Sequence, residues 1–230
     1  MGQIVEFPSN GSSARGYLAV PSGGRGPGVV VVQEWWGLDH SLEVMVDRLA
    51  EGGFVALAPD LYRGELARHE EPDRAAELMQ QLPPDRAARD MSGAVDFLAG
   101  HEAASGDGIG VVGFCMGGML AFHLAAHRPD KVRAIVPFYG FPQGDHEPDW
   151  SPMVAAVQGH MAERDDFFGP DAARALEQKL QAMGKDVAFT VHPAGHAFMN
   201  PENALGNTDE ALAARVWPEA LRFLHDHLDG

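Results

Sequence analysis

One cysteine occurs in the 230-residue chain, and its neighbours suit a thiol that does chemistry. Ile109–Phe114, IGVVGF, is an apolar run that reads as a strand, and Gly117–His127 is rich in Ala, Leu and Met and reads as a helix. Cys115 stands between them in Gly113-Phe114-Cys115-Met116-Gly117-Gly118. This is G-x-C-x-G-G, the nucleophile-elbow spacing with cysteine in place of serine. A sharp strand-to-helix turn needs flanking positions without side chains. It would set the sulfur at the C-terminal edge of a sheet and at a helix N-terminus, where free N–H groups and the helix dipole favour a thiolate and a developing oxyanion. No G-x-S-x-G occurs, so no serine competes for the role. The G-x-G-x-x-G at Gly108–Gly113 lies inside the predicted strand rather than after it, which excludes a dinucleotide fingerprint.

A cysteine nucleophile needs a base, and the base needs an orienting carboxylate. On a nucleophile-elbow scaffold the chain order is nucleophile, acid, histidine. Among eleven histidines, VHPAGHAFMN offers His192, within or at the end of a strand, and His196 in the Gly-containing loop that follows; His196 is the base candidate. Upstream, VQGHMAERDDFF leaves a strand ending near Gln158 and enters a loop with Asp165 and Asp166, either of which could hold the imidazole. Glu34 directly follows VVVVQ, beside Trp35 and Trp36. A carboxylate among apolar rings is costly without a partner, and the Cys115 thiol would be one. His123 and His127 share a helical face, but the Glu of H-E-x-x-H is missing, so no metal site is expected. His225 and His227 read as solvated. Trp35, Trp36, Phe141, Trp150 and Phe198 are candidates to line an apolar pocket.

The elements that must position these groups alternate along the chain. RGYLAV, PGVVVVQ, GFVALAP, IGVVGF, VRAIVPFYG, PMVAAVQG and VAFTVHP read as strands, most of them continuously apolar, as in strands covered on both faces. Helices are predicted at Ser41–Glu51, Asp73–Gln81, Asp85–Leu98, Gly117–His127, Asp171–Met183 and Asp209–Leu228, several opening on a Ser or Asp that can cap. This alternation predicts an α/β fold, a mostly parallel sheet with helices on both faces, whose sites form at C-terminal strand ends. At this length residues 1–230 are expected to share a single domain. The polar stretches Tyr62–Pro72 and Gln143–Pro152 read as surface excursions.

Composition narrows the partners. Seventeen Lys plus Arg face 33 Asp plus Glu, a net charge of −16, which repels nucleic acid and anionic membranes. One cysteine cannot form an internal disulfide, the N-terminal stretch lacks a secretory pattern, and no apolar run approaches a membrane span. In the cytoplasmic location this predicts, the sequon Asn10-Gly11-Ser12 has no meaning.

Together VVVVQEWWGL, GFVALAPDLY, IGVVGFCMGG, FYG, HMAERDDF, AGHAF and WPEALRFLHDHL resemble the dienelactone hydrolases over nearly the whole chain. The resemblance implies an α/β-hydrolase fold with a sheet of about eight strands flanked by helices. It places the nucleophile at Cys115, the base at His196 and the acid at Asp165, the first aspartate of HMAERDDF. Glu34 matches the family's glutamate, which holds the proton of the resting thiol and moves when substrate binds. The oxyanion hole would use the backbone N–H groups of Trp35 and Met116, and Trp36, Tyr139, Phe198 and Asn200 would border the substrate. The implied reaction is hydrolysis of a small lactone or ester through a cysteinyl acyl-enzyme, with no metal or cofactor, in a monomer or weak homo-oligomer. One departure stands out. An arginine that clamps the substrate carboxylate in the family's archetype is replaced by Asn200, and Arg74, Arg133 and Arg164 are the nearest candidates to stand in. The competing function is a non-catalytic or redox-sensing thiol on the same scaffold, although the chain has no resolving cysteine.

Overall fold

The structure, a computed structural model, describes residues 2–9 and 11–229; Asn10 of the sequon lies outside them. Eight strands form one sheet: β1 (Gln3–Ser9), β2 (Ser12–Ala19), β3 (Gly26–Val32), β4 (Val55–Pro59), β5 (Ala104–Phe114), β6 (Val132–Phe138), β7 (Ala156–Arg164) and β8 (Val187–Gly195). Their order is β1-β2-β4-β3-β5-β6-β7-β8. β1 and β2 run antiparallel at one edge, and the strands from β4 to β8 are mutually parallel. The α/β expectation and its strand number are met. β1 had no predicted counterpart. It is an edge strand with Pro8 within it, burying Phe7 while Ile4 and Glu6 face solvent, so it lacks the continuous apolar run that marks the inner strands.

Among the described residues six α-helices cover the sheet: α1 (His40–Glu51), α2 (Pro72–Gln81), α3 (Pro84–Ala99), α4 (Met116–His127), α5 (Pro170–Ala182) and α6 (Glu210–Leu228). Leu42, Val46 and Leu49 of α1 join Val216, Trp217 and Leu224 of α6 in one core layer. Leu78 of α2, Met91 of α3, Phe122 of α4 and Leu176 of α5 belong to the other. One of the expected caps forms, Asp209 accepting from the Leu212 N–H at 2.9 Å, whereas α1 is capped by Asp39, which accepts from the Leu42 N–H at 2.9 Å and leaves Ser41 inside the first turn. Asp73, Asp85 and Asp171 instead fall inside their first turns, because Pro72, Pro84 and Pro170 take the opening position that suits a residue without an N–H. Among the described residues no helix is long and apolar enough to cross a membrane.

The topology fixes where a site can form. From β3 the chain turns through α1 to β4 on one side, then returns through α2 and α3 to β5 on the other. The C-terminal ends of β3 and β5 therefore flank the point where strand order reverses, the crevice in which open α/β sheets bind ligands. Glu34 and Trp35 follow β3 there, and Cys115 follows β5.

Candidate active site

The turn at Cys115 is as tight as its glycines imply. A methyl group at Gly113 would stand 2.1 Å from the Gly117 carbonyl oxygen, and one at Gly117 would stand 2.2 Å from that of Val32 in β3. Cys115 itself adopts φ 55° and ψ −118°, a conformation that costs a side-chain-bearing residue of order 1–3 kcal/mol. Of the five non-glycine residues with positive φ, Cys115, Tyr139 and Ala197 all border this site, so the strain is concentrated where the strand ends converge. The G-x-G-x-x-G lies wholly within β5, as its rejection required.

β7 and β8 bring the base and acid together. β7 runs on to Arg164, six residues beyond its expected end, so Asp165 leaves the strand directly and His196 follows β8 after Gly195. His196 Nδ1 is 2.7 Å from Asp165 Oδ2. The other carboxylate oxygen accepts from the Phe167 and Phe168 N–H groups, each at 2.9 Å. Burial alone would raise the Asp165 pKa, but the hydrogen bond and charge of His196 and the two backbone donors carry it below the usual range. Asp166 is exposed and makes none of these contacts, so of the two acids left open by the sequence the structure brings Asp165 to the imidazole.

Glu34 is 9% exposed. Its Oε2 accepts from Asn200 Nδ2 at 2.8 Å, while Oε1 and the Tyr139 hydroxyl are buried with no hydrogen-bond partner. Burial raises the Glu34 pKa, more than the Asn200 hydrogen bond lowers it. Burial also pushes the Cys115 thiol well up, and the Glu34 charge pushes it the same way, against the favourable Met116 N–H. Tyr139 is raised by burial and by the charges of Glu34 and Cys115. These shifts keep a proton inside the group at neutral pH.

On its open side Cys115 lines a cavity of about 270 Å³ with His196, Trp35, Met116, Met119 and Phe168. None of the four residues expected to border the substrate lines it. Trp36, Tyr139 and Phe198 are core residues at 2% exposure or less, Trp36 packed edge-on beneath Trp35. An aromatic beside a strand end can turn to either face, and these turn inward. Asn200 lies behind the site holding Glu34, its Oδ1 accepting from the Glu202 N–H at 3.0 Å. Phe141 and Trp150 are likewise core. No arginine reaches the cavity: Arg74 pairs with Glu65 and Glu77, Arg133 donates to the carbonyls of Pro129 and Asp130, and Arg164 to that of Pro193. His225, expected to be solvated, is half-buried: its Nδ1 lies 2.9 Å from the Asp229 carboxylate and its Nε2 2.9 Å from the Gly52 carbonyl, both of which accept, joining α6 to the end of α1.

The residues missed were Asn200 as the partner of Glu34 and the cavity walls Met79, Met119, Phe167, Phe168 and Leu205. Only the two phenylalanines carried a local signal. In Asp165-Asp166-Phe167-Phe168 an Asp side chain can accept from backbone N–H groups two and three residues on, which turns the following side chains back over the site.

Comparison with known proteins identifies the family. The sequence model of the dienelactone hydrolase family matches residues 14–228. Protein usf of Aquifex pyrophilus is 38% identical, with 99% of this chain and 100% of that protein covered. A candidate carboxymethylenebutenolidase of Aquifex aeolicus is 36% identical over the same shares of the two chains. A crystal structure of a candidate dienelactone hydrolase from Klebsiella pneumoniae matches at a TM-score of 0.86 and 26% identity, covering 99% of each chain. The chain therefore belongs to the dienelactone hydrolase family, lactone- and ester-cleaving enzymes of the α/β-hydrolase fold.

Proposed function

We propose that the protein hydrolyses a carboxylic lactone or ester by acyl transfer through Cys115, with His196 as base and Asp165 as the carboxylate that orients it. The observation that carries this reading is that Cys115 and His196 line one cavity while Asp165 occupies His196 Nδ1, leaving Nε2 as the nitrogen free for reacting groups. At rest the thiol is neutral, held so by burial and by the negative charge of the nearby Glu34 carboxylate. On substrate binding His196 Nε2 takes the thiol proton, and the Cys115 thiolate attacks the carbonyl carbon. The oxyanion is held by the N–H groups of Trp35 and of Met116, which opens α4 where N–H groups have no intrahelical acceptor. Collapse of this intermediate breaks the acyl C–O bond, the departing oxygen takes a proton from His196, and a thioester remains. His196 then removes a proton from water, hydroxide adds to the thioester, and the acid leaves with Cys115 restored as thiolate.

A good leaving group such as an enolate eases the first bond cleavage, so enol lactones and aryl esters fit this site better than alkyl esters of simple alcohols. The same setting weighs against a peroxide-sensing thiol, which needs a lowered pKa, whereas burial and Glu34 raise that of Cys115. A single cysteine suits the reducing cytoplasm. Turnover of an enol lactone, a dienelactone carboxylic acid and an aryl acetate by wild type beside Cys115→Ala tests the proposal. Neutral substrates should be cleaved and the variant should be inactive on all three. A variant that keeps wild-type turnover would remove Cys115 from the mechanism.

A further inference from the structure

The cavity beside Cys115 shares part of its wall with a second space. Met116 and Met119, with Met79 at the rim, line both this cavity and a larger groove of about 680 Å³ between α2, α3 and α4. Leu82, Ala87, Met91 and Leu120 continue the apolar lining. Ala88, Met91 and His123 then lead into a third space of about 270 Å³ beside Pro148 and Pro152. The three spaces share walls in series along α4 from Met116 to His123, about 10 Å at the rise of an α-helix, and a tail laid along this line would pass from one to the next.

Two features identify what this path accepts. Among the described residues no Lys or Arg lines any of the three spaces, and three acids, Asp145, Glu147 and Asp149, lie at the far end beside His123, His127 and His146. Burial holds the His123 imidazole towards its neutral form. A substrate carboxylate would meet no guanidinium or ammonium there, and in a chain of net charge −16 it would meet repulsion. The mouth, by contrast, is rimmed by exposed apolar side chains: Phe167 is 57% exposed, Met79 39% and Leu205 37%. Such clustering on a surface marks a place where apolar matter docks. Methionines at the neck add flexible side chains that conform to a chain of variable shape.

We propose that the preferred substrates are uncharged esters or lactones carrying a medium-length alkyl tail, and that the tail lies along α4 in this groove. The proposal rests on Cys115 as the reacting group and adds the class of molecule it acts on. Each methylene that moves from water into the groove can raise kcat/KM by up to about fourfold.

Aryl esters from acetyl to octanoyl, measured with wild type and with Ala88→Trp, read this directly. In wild type the octanoyl-to-acetyl ratio of kcat/KM should exceed tenfold. The tryptophan side chain, projecting from α3 into the groove, should reduce that ratio at least tenfold, and taking the ratio within one preparation cancels differences in folded fraction. Calorimetric titration with 1-octanol, which cannot be hydrolysed, should show binding to wild type and to Cys115→Ala and loss of binding in Ala88→Trp. Cys115-dependent turnover with a flat or falling chain-length series overturns the groove and leaves the hydrolase reading intact. No turnover of any ester, together with octanol binding that Ala88→Trp removes, overturns the hydrolase reading and supports the groove. Neither turnover nor binding overturns both.

Discussion

β7 and β8 each supply two polar residues that meet in pairs, and the pairs have opposite characters. At the C-terminal ends, Asp165 and His196 lie 2.7 Å apart beside a cavity. Within the strands, His160 Nδ1 lies 3.1 Å from His192 Nε2, and His160 Nε2 lies 3.2 Å from Gln158 Oε1. The Gln oxygen accepts only, so His160 Nε2 carries a proton and Nδ1 accepts one from His192. Both rings are then satisfied as neutral tautomers, and His160 stacks on Phe138 within the core. Burial and the charge of His192 push the His160 pKa down to about 3. Burial, followed by the charge of Arg215, also lowers His192. The same residue type thus serves as acid–base candidate or as core filler, depending on whether its neighbour is a carboxylate and whether its free nitrogen reaches open space.

The largest effect expected from breaking this contrast is kinetic. His196→Ala should lower kcat/KM for an aryl acetate by about a thousandfold, within the usual share of a general base. His192→Ala should leave kcat/KM within about threefold and instead cost about 1–3 kcal/mol of stability, since His160 loses its donor. Steady-state rates and urea midpoints on the two variants check both halves. A kinetic defect in His192→Ala as large as that of His196→Ala would mean that the inner pair takes part in catalysis.

A smaller effect should appear in acid. A histidine with a folded pKa near 3 binds no proton while the unfolded chain takes one up below about 6.5. Stability is therefore full above pH 6.5 and falls as pH drops from there towards 3, by up to about 4 kcal/mol from this residue. The cause is local: a proton on His160 Nδ1 would face the N–H of His192. Urea midpoints between pH 7 and pH 4 should fall less steeply in His160→Gln than in wild type. Parallel slopes would show that His160 is protonated in the folded protein over this range.

The inner pair also explains where the sequence misleads. His160 interrupts the apolar run of β7 with what looks like a loop residue, so the strand reads as ending near Gln158, although it continues to Arg164 with His160 buried against His192. A buried polar residue is legible only with its partner, and that partner is on another strand. The elbow is legible because its requirement is local: glycines must flank Cys115 wherever the turn is this sharp. The same holds for the inner strands, whose burial on both faces is written as unbroken Val and Ile. Asn200 belongs with His160. Beside the family pattern it reads as a lost arginine, yet its role is set by Glu34, 166 positions away.

That long-range pair gives the finest test. If charge on Glu34 raises the Cys115 pKa, Glu34→Gln should bring it down, because the neutral amide no longer opposes a thiolate. Gln can still accept from Asn200 Nδ2, so the loop holding the carboxylate keeps its contact and the change is confined to charge. The rate of Cys115 alkylation by iodoacetamide against pH reads the thiolate directly. Wild type should react slowly at neutral pH, its rate still rising above pH 9, and Glu34→Gln should react severalfold faster at pH 7. Asn200→Ala should move the titration the same way and by less, since a carboxyl stripped of its donor holds its proton more strongly and so opposes a thiolate less. Coincident profiles for wild type and Glu34→Gln would mean that Glu34 is already neutral beside the thiol. Burial alone would then keep Cys115 protonated, as burial is the larger of the two causes that keep His160 without its charge.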